Sequence, residues 1–368
     1  MDERKRYRVL IIDDSALSRQ VISDILGKSP HLEVVGTAAD GGEAIQRVPF
    51  LKPDLITLDL EMPGINGFTF LRWLMKHHPV PTLVVSSQNN VKSVLTALEL
   101  GAVDFMSKPT IGVTPDLFHM EENLLKKVET IVRSLPGEKL SLRAERLTRH
   151  DRTPVLQEPL QNASGKVELV VIGASTGGPP AVQTILYALP KGFPVPLVVV
   201  QHMPEGYTGH FAERLNRGCA LEVKEATDQE GLRAGTAYIA PGGRHLVFRR
   251  IDREVQVGIL NRRPEDLYTP SVDITLKSAA KAYGPKVLGI VLTGMGTDGA
   301  LGLQAVKSLN GLTLAESEET AVIFGMPREA IRLGGVDRVL PLYDIPQEIL
   351  ALCLSPLSGS CRSAEISV

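Results

Sequence analysis

Short apolar runs alternate with amphipathic segments of helical length in two blocks, and this most narrows what the chain can fold into. Between residues 7 and 135 the runs 8–12 (RVLII), 32–38, 55–58 (LITL), 82–85 (TLVV) and 103–106 are separated by segments of helical period. From residue 167 the pattern resumes, with 169–172 (LVVI), 196–200, 287–292 and 312–315 as the apolar runs. Strands that are apolar throughout belong inside a sheet covered on both faces, and a helix between each pair makes neighbouring strands parallel. The expected class is therefore α/β twice over. A doubly wound parallel domain spans 1–135, and a second parallel-sheet domain spans 167–354. The second is interrupted by a β-rich insert with short strands at 238–240, 246–250 and 255–259, the last two forming a hairpin. Residues 136–166 are rich in charge and hold Pro136, Pro154 and Pro159, so they read as a linker. Residues 355–368 read as a disordered tail.

Composition removes several classes of function. A formal net charge of −2 gives no reason to expect a nucleic-acid or lipid surface. Cys219, Cys353 and Cys361 are too few for a disulfide framework and lack metal-site spacing. The charged N-terminus has no apolar h-region or small-residue cleavage site, and no apolar run reaches the ~20 residues of a membrane helix. A reduced cytoplasm and no membrane insertion are expected.

In the first block the polar residues gather at strand ends. Asp13 and Asp14 end the first strand, Asp59 the third and Ser86 the fourth, and Lys108 follows the fifth. In an open parallel sheet the C-terminal strand ends share one crevice. Three carboxylates there repel one another, and a hard cation such as Mg²⁺ with oxygen ligands relieves that repulsion. A carboxylate to attack, a cation and an ammonium to neutralise oxygens, and a hydroxyl to report a new group together suit a phosphoryl transfer. A lone Asp at a strand end is usually a cap or turn former, so the argument rests on the set.

The second block offers a serine. In GASTGGPP (173–180) an apolar strand meets a tight glycine turn, and a helix begins with Pro179 and Pro180 in its first turn, where a missing N–H costs nothing. Ser175 sits at the bend, close to the unpaired N–H groups of the helix start. A serine hydroxyl needs an imidazole to take its proton, and the imidazole needs an acid to hold it. His202 in QHMP and Asp298 in TGMGTDG repeat the same placement of strand end, turn and helix start. His210 falls inside a helical segment. His245 follows a turn, and a structural role suits it better. Asp273 reads as a helix-start residue, and Asp298 also admits a capping role. The order Ser, His, Asp departs from the Ser, acid, His order of α/β-hydrolases. The glycine spacing does not fit a dinucleotide fingerprint.

With these residues in view, IIDDS, LDLEMPGING, VVSS and GAVDFMSKP resemble the receiver domain of bacterial two-component response regulators. The resemblance implies a flavodoxin-like fold, with Asp59 phosphorylated by a histidine kinase and Asp13 and Asp14 joining it on Mg²⁺. It also implies Ser86 and Lys108 as phosphate-switch residues. Phe105 takes the switch aromatic's place, although core packing explains it equally well. GASTGGP, QHMP, YIAPGGRH, TPSVD, LTGMGTDGA and ETAVIFGMPREAI resemble the catalytic domain of the protein-glutamate methylesterase family of chemotaxis response regulators. That second resemblance implies Ser175 as nucleophile, His202 as base and Asp298 as orienting acid, with Thr176 and the Met295 N–H as support. It further implies methyl-accepting chemoreceptors as substrate, deamidation of receptor glutamines as a second activity, and no cofactor for the ester reaction. Thr269 departs from the arginine often found before Pro-Ser-Val-Asp. Two other classes remain open: a phosphorylation-controlled receptor-binding module without turnover, and the same chemistry in a receptor pathway outside swimming.

Overall fold

Helix starts in the first block are set by side-chain caps. Ser15 Oγ accepts the Ser18 N–H, and the Asp40 carboxylate accepts the Gly42 and Glu43 N–H groups, satisfying donors that a helix start leaves free. The computed structural model describes residues 6–86, 91–108, 115–135, 167–252 and 254–354. The segments read as linker (136–166) and tail (355–368) lie outside them.

The first block runs β1 (Tyr7–Ile12), α1 (Ala16–Leu26), β2 (Leu32–Ala38), α2 (Gly41–Leu51), β3 (Leu55–Leu58), α3 (Gly67–His77), β4 (Thr82–Ser86), α4 (Val91–Glu99), β5 (Asp104–Ser107) and α5 (Pro115–Ser134). Its five strands pair in the order β2-β1-β3-β4-β5, all parallel. The order reverses between β1 and β3, which opens a crevice at their C-terminal ends.

The second block runs β6 (Leu169–Ala174), α6 (Gly178–Ala188), β7 (Leu197–Gln201), α7 (Tyr207–Gly218), β8 (Glu222–Glu225), β9 (Thr236–Ile239), β10 (Arg244–Ile251) and β11 (Glu254–Asn261). It continues with α8 (Val272–Tyr283), β12 (Val287–Val291), α9 (Ala300–Ser308), β13 (Leu312–Glu316), α10 (Met326–Arg332), β14 (Arg338–Leu340) and α11 (Ile345–Cys353). Seven strands form a parallel sheet in the order β14-β13-β12-β6-β7-β9-β8, and β10 and β11 form a separate antiparallel hairpin. Here too the order reverses beside the first strand of the block: β6 lies between β7 and β12.

One expectation needs correcting. The sequence places the run at 238–240 in the insert, but β9 pairs with β7 in the main sheet. A short strand next to a hairpin looks local in sequence, whereas its pairing with β7 is long-range. β8 reads EVKE, a polar edge strand with no apolar run to announce it. α10, β14 and α11 extend the second sheet beyond the last strand expected. Among the described residues no helix is long and apolar enough to cross a membrane.

The core is densely packed where α8 crosses β6. A Cβ placed on Gly173 would lie 2.2 Å from Val272 Cγ1. Gly173→Ala must therefore push α8 off the sheet. It should cost roughly 1–3 kcal/mol, read as a lower midpoint of chemical unfolding. An unchanged midpoint would show that the helix can yield without loss.

Candidate functional site

Both crevices are filled with polar side chains. In the first sheet Asp13 and Asp59 are buried, Asp14 is exposed, and a ligand oxygen from each can be chosen with all three within 4.8 Å of one another. Lys108 Nζ lies 2.6 Å from Asp59 Oδ2 and 2.9 Å from Asp13 Oδ2. Burial works against the Lys108 charge, but the hydrogen bonds and charges of these two carboxylates outweigh it and raise its pKa. Burial raises the Asp13 pKa against the opposing pull of Lys108. Ser86 ends the neighbouring strand with its hydroxyl buried and unpartnered among the described residues, and its carbonyl accepts the Lys108 N–H at 2.8 Å. Three hard oxygen donors beside one ammonium suit an octahedral Mg²⁺.

In the second sheet three strand ends are stitched together just past their last paired residues. Ser175 N donates to Thr293 O at 3.0 Å, His202 N to Ala174 O at 3.0 Å, and Leu292 N to Gly173 O at 2.9 Å. β6 and β7 are in register at Ala174 and Gln201, so Ser175 and His202 leave adjacent strands side by side. The Gln201 amide also donates to Ser175 O at 2.9 Å. His202 Nε2 lies 2.8 Å from Asp298 Oδ2, and its ring stacks on Tyr268 at 4.9 Å between centroids. Gly177, at φ +75°, carries the turn from Ser175 into α6. Among the described residues the Ser175 hydroxyl makes no hydrogen bond; Thr176 beside it is buried. Gly294, just before Met295, approaches so closely that a Cβ there would sit 2.8 Å from Ser175 Cβ.

Asp298 is buried yet fully engaged. It accepts from the Ser271 hydroxyl at 3.0 Å, Val272 N at 2.7 Å and Asp273 N at 2.9 Å as well as facing His202. Its carboxylate thus caps α8, a helix distant in sequence, while serving the imidazole. Asp273 does the reverse: it accepts Gly299 N and Gly302 N at the start of α9. Asp273 is thus a helix-start residue that satisfies backbone donors, as the sequence suggests, and the donors belong to the other helix. His210 lies in α7 with a half-exposed side chain, and His245 is buried.

The two blocks meet beside Ser175. Thr176 Oγ1 donates to Asp104 Oδ2 at 2.6 Å, and Asp104 is also paired with Lys127. Gly177 N donates to Val103 O at 3.2 Å. Phe105 stacks on Tyr207 at 4.8 Å and both rings are buried. Arg214 of α7 grips Glu99 of α4 with two nitrogens and reaches Thr96 Oγ1 at 3.1 Å. Sequence reasoning missed Asp104, Tyr207 and Tyr268. A charge inside the apolar strand of GAVDF was the one available signal. Nothing local marks the two tyrosines.

A phosphoacceptor-like crevice joined in one chain to a Ser–His–Asp crevice defines a response regulator whose output is a hydrolase. Comparison with known proteins agrees. Residues 9–114 match the response regulator receiver domain family, and 170–349 match the CheB methylesterase family. A Geobacter sulfurreducens protein named protein-glutamate methylesterase/protein-glutamine glutaminase 3 is 47% identical over 95% of this chain and 98% of its own. An Archaeoglobus fulgidus protein, named protein-glutamate methylesterase/protein-glutamine glutaminase, is 43% identical over 93% of this chain and 97% of its own. The crystal structure of the Thermotoga maritima CheB methylesterase catalytic domain is 44% identical, covering 51% of this chain and all of that one, with a TM-score of 0.50. The chain belongs to the CheB methylesterase family, as an enzyme of the response-regulator class.

Burial opposes the Asp298 charge most strongly, but the His202 hydrogen bond and charge and the backbone N–H groups together prevail and lower its pKa. A lowered folded-state value stabilises the fold above the unfolded value. The Asp298 contribution should be complete above the ordinary 3.8 and vanish as pH falls through the lowered value. The stability gap between wild type and Asp298→Asn, from denaturant titrations across this range, should narrow on acidification. A gap independent of pH would contradict the assignment.

Proposed function

We propose that the chain is a protein-glutamate methylesterase and protein-glutamine glutaminase acting on chemoreceptors in the cytoplasm, held in check by its receiver and released by phosphorylation at Asp59. What carries the reading is the His202–Asp298 hydrogen bond at the strand end next to Ser175. With Nε2 turned to Asp298, Nδ1 is the nitrogen left for the serine. His202 takes the Ser175 proton as Oγ attacks the γ-carbonyl of a glutamyl methyl ester. The oxyanion gathers negative charge by the Gly294–Met295 turn, where the Met295 N–H serves as donor, worth roughly 3 kcal/mol in the transition state. His202 returns the proton to the departing methoxide, and methanol leaves. Water, deprotonated by the same ring, then cleaves the acyl-serine to free glutamate. A glutamine side chain follows the same route with ammonia as leaving group.

Phosphorylation would come from a histidine kinase. Mg²⁺, held by Asp13, Asp14 and Asp59, would neutralise phosphoryl oxygens there. The chain's own residues do the rest: Lys108 pairs with the new oxygens, and Ser86 supplies a hydroxyl to them. Both are tied to β5 through the Lys108–Ser86 backbone bond. Lys108 lies three residues from Phe105, so a shift at the phosphate site reaches the interface along about 10 Å of strand. Asp104 holds Thr176 and the Val103 carbonyl holds the Gly177 N–H, the two residues after Ser175, so loosening that contact frees the cleft. The switch needs only a difference in stability between the packed and open forms.

Ser175→Ala should lower methanol release from methylated receptor membranes by about 10⁴-fold or more while Asp59 still accepts phosphate. Retained turnover would remove Ser175 from its role. Asp59→Asn should keep the basal rate and lose stimulation by a small phosphodonor; continued stimulation would mean another acceptor. Asp104→Ala should raise the basal rate by about tenfold, since it removes a charge-assisted hydrogen bond present only in the packed form. An unchanged basal rate would show that the Thr176 contact does not restrain the enzyme.

A further inference from the structure

Polar contacts continue behind Asp298 into a buried pair that the reaction above does not use. His245, on β10, is 2% exposed. Its Nε2 lies 2.9 Å from Asp266 Oδ2, and its Nδ1 accepts the Ser271 backbone N–H at 3.3 Å. A ring that accepts at Nδ1 carries its proton on Nε2, so neutral His245 donates to Asp266. Asp266 is fixed from the other side by Arg263, whose backbone N–H reaches it at 2.7 Å and whose guanidinium reaches it at 3.1 Å. Ser271 is the N-cap of α8. Its hydroxyl accepts the Ile274 N–H and donates to Asp298 Oδ1.

We infer that His245 is a positioning residue for the hydrolase: anchored by Asp266, it pins the backbone of Ser271 and so sets the angle at which Asp298 faces His202. The inference rests on the triad reading. A buried imidazole is costly unless both nitrogens are partnered. Here one partner is an ionised carboxylate, which strengthens Nδ1 as an acceptor. The other is the backbone of the residue whose side chain touches the catalytic carboxylate. Protonating Nδ1 would set N–H against N–H at Ser271, so this path works only with the neutral ring. Asp298 would still be capped by Val272 N and Asp273 N without it, but one of its two oxygens would lose the hydroxyl that fixes its rotation.

The test is the pH–rate profile of methanol release by the full-length protein with a small phosphodonor, for wild type, His245→Gln, Ser271→Ala, the double variant and Asp298→Asn. His245→Gln and Ser271→Ala should each lower kcat by between about tenfold and about a hundredfold with KM little changed. Each should move the acid limb to lower pH, because a carboxylate turned away favours the protonated base less. The double variant should be no worse than the more damaging single one, since both cut the same path. If His245→Gln fails to fold, Ser271→Ala keeps the backbone donor on His245 and carries the test. Variants that lose thermal stability yet keep the wild-type kcat and acid limb would overturn the inference, as would fully additive losses. Asp298→Asn separates the two readings: a wild-type rate there would overturn the triad itself. A loss of about 10⁴-fold there beside wild-type kinetics in the other variants would overturn only the role of His245.

Discussion

Asp298 is an anion set among apolar strands and helices, and among the described residues no lysine or arginine pairs with it. It stays ionised because four donors converge on it, three of them from the first turn of α8 and its cap. Hydrogen bonds to a charged group contribute about 1.5–3 kcal/mol each, and the helix dipole adds to them. The same contacts dock α8 against the loop after β12, and the Asp273 caps on α9 lock that loop from the opposite direction. Asp298 is thus also the joint between two helices, so its orientation is inherited from the packing of the whole layer. Such a carboxylate does not swing freely, which is what an imidazole needs if it is to keep one tautomer and one direction.

The contact between the two halves is of another kind. Its apolar part includes the Phe105–Tyr207 ring stack, worth about 0.5–1.5 kcal/mol beyond area burial, and the buried Leu95 and Leu98 of α4, which share one cluster with Phe211 and Leu215 of α7. Its polar part includes the partly exposed Arg214–Glu99 pair, which contributes little, and the Asp104–Thr176 bond, which is buried and stronger. The polar and apolar parts together set how firmly the halves are held. That balance is what a switch requires, because a phosphoryl group can shift an equilibrium only by its differential interaction with the two states. β5 links the ends of the path: its last residues border the phosphate crevice and its first residues face the hydrolase.

The architecture was legible because burial on both faces makes a strand apolar throughout, and β1, β3, β4, β6, β7 and β12 all announce themselves that way. The crevices were legible because the polar residues sit immediately after those runs, and Asp13, Asp59, Ser175 and His202 could be placed by counting. Short or polar pieces were not: β8 reads EVKE, and β9 takes its place only by pairing with β7. Partnerships between distant segments were equally hidden. TPSVD signals a helix start, but nothing in it says that its donors serve Asp298 rather than its own side chains. Phe105 was open between core and switch, since its partner, Tyr207, is a hundred residues away on another element.

Both sheets reverse strand order beside their first strand, and both sites occupy the gap that results. There, two adjacent loops diverge to opposite faces and leave backbone donors and strand-end side chains uncovered. In the first sheet the gap collects Asp13 and Asp59; in the second it collects Ser175 and the loop bearing Asp298. Among the described residues the hydrogen bonds and ring contact to the hydrolase come from α4 and the opening of β5, at the far edge of the receiver sheet. Asp59, just after β3, is two strands away from Asp104 on β5, which holds Thr176. A phosphoryl group at Asp59 would then act on that contact through β4 and β5 and not by touching it, so its effect is set by how β5 differs between the packed and open forms.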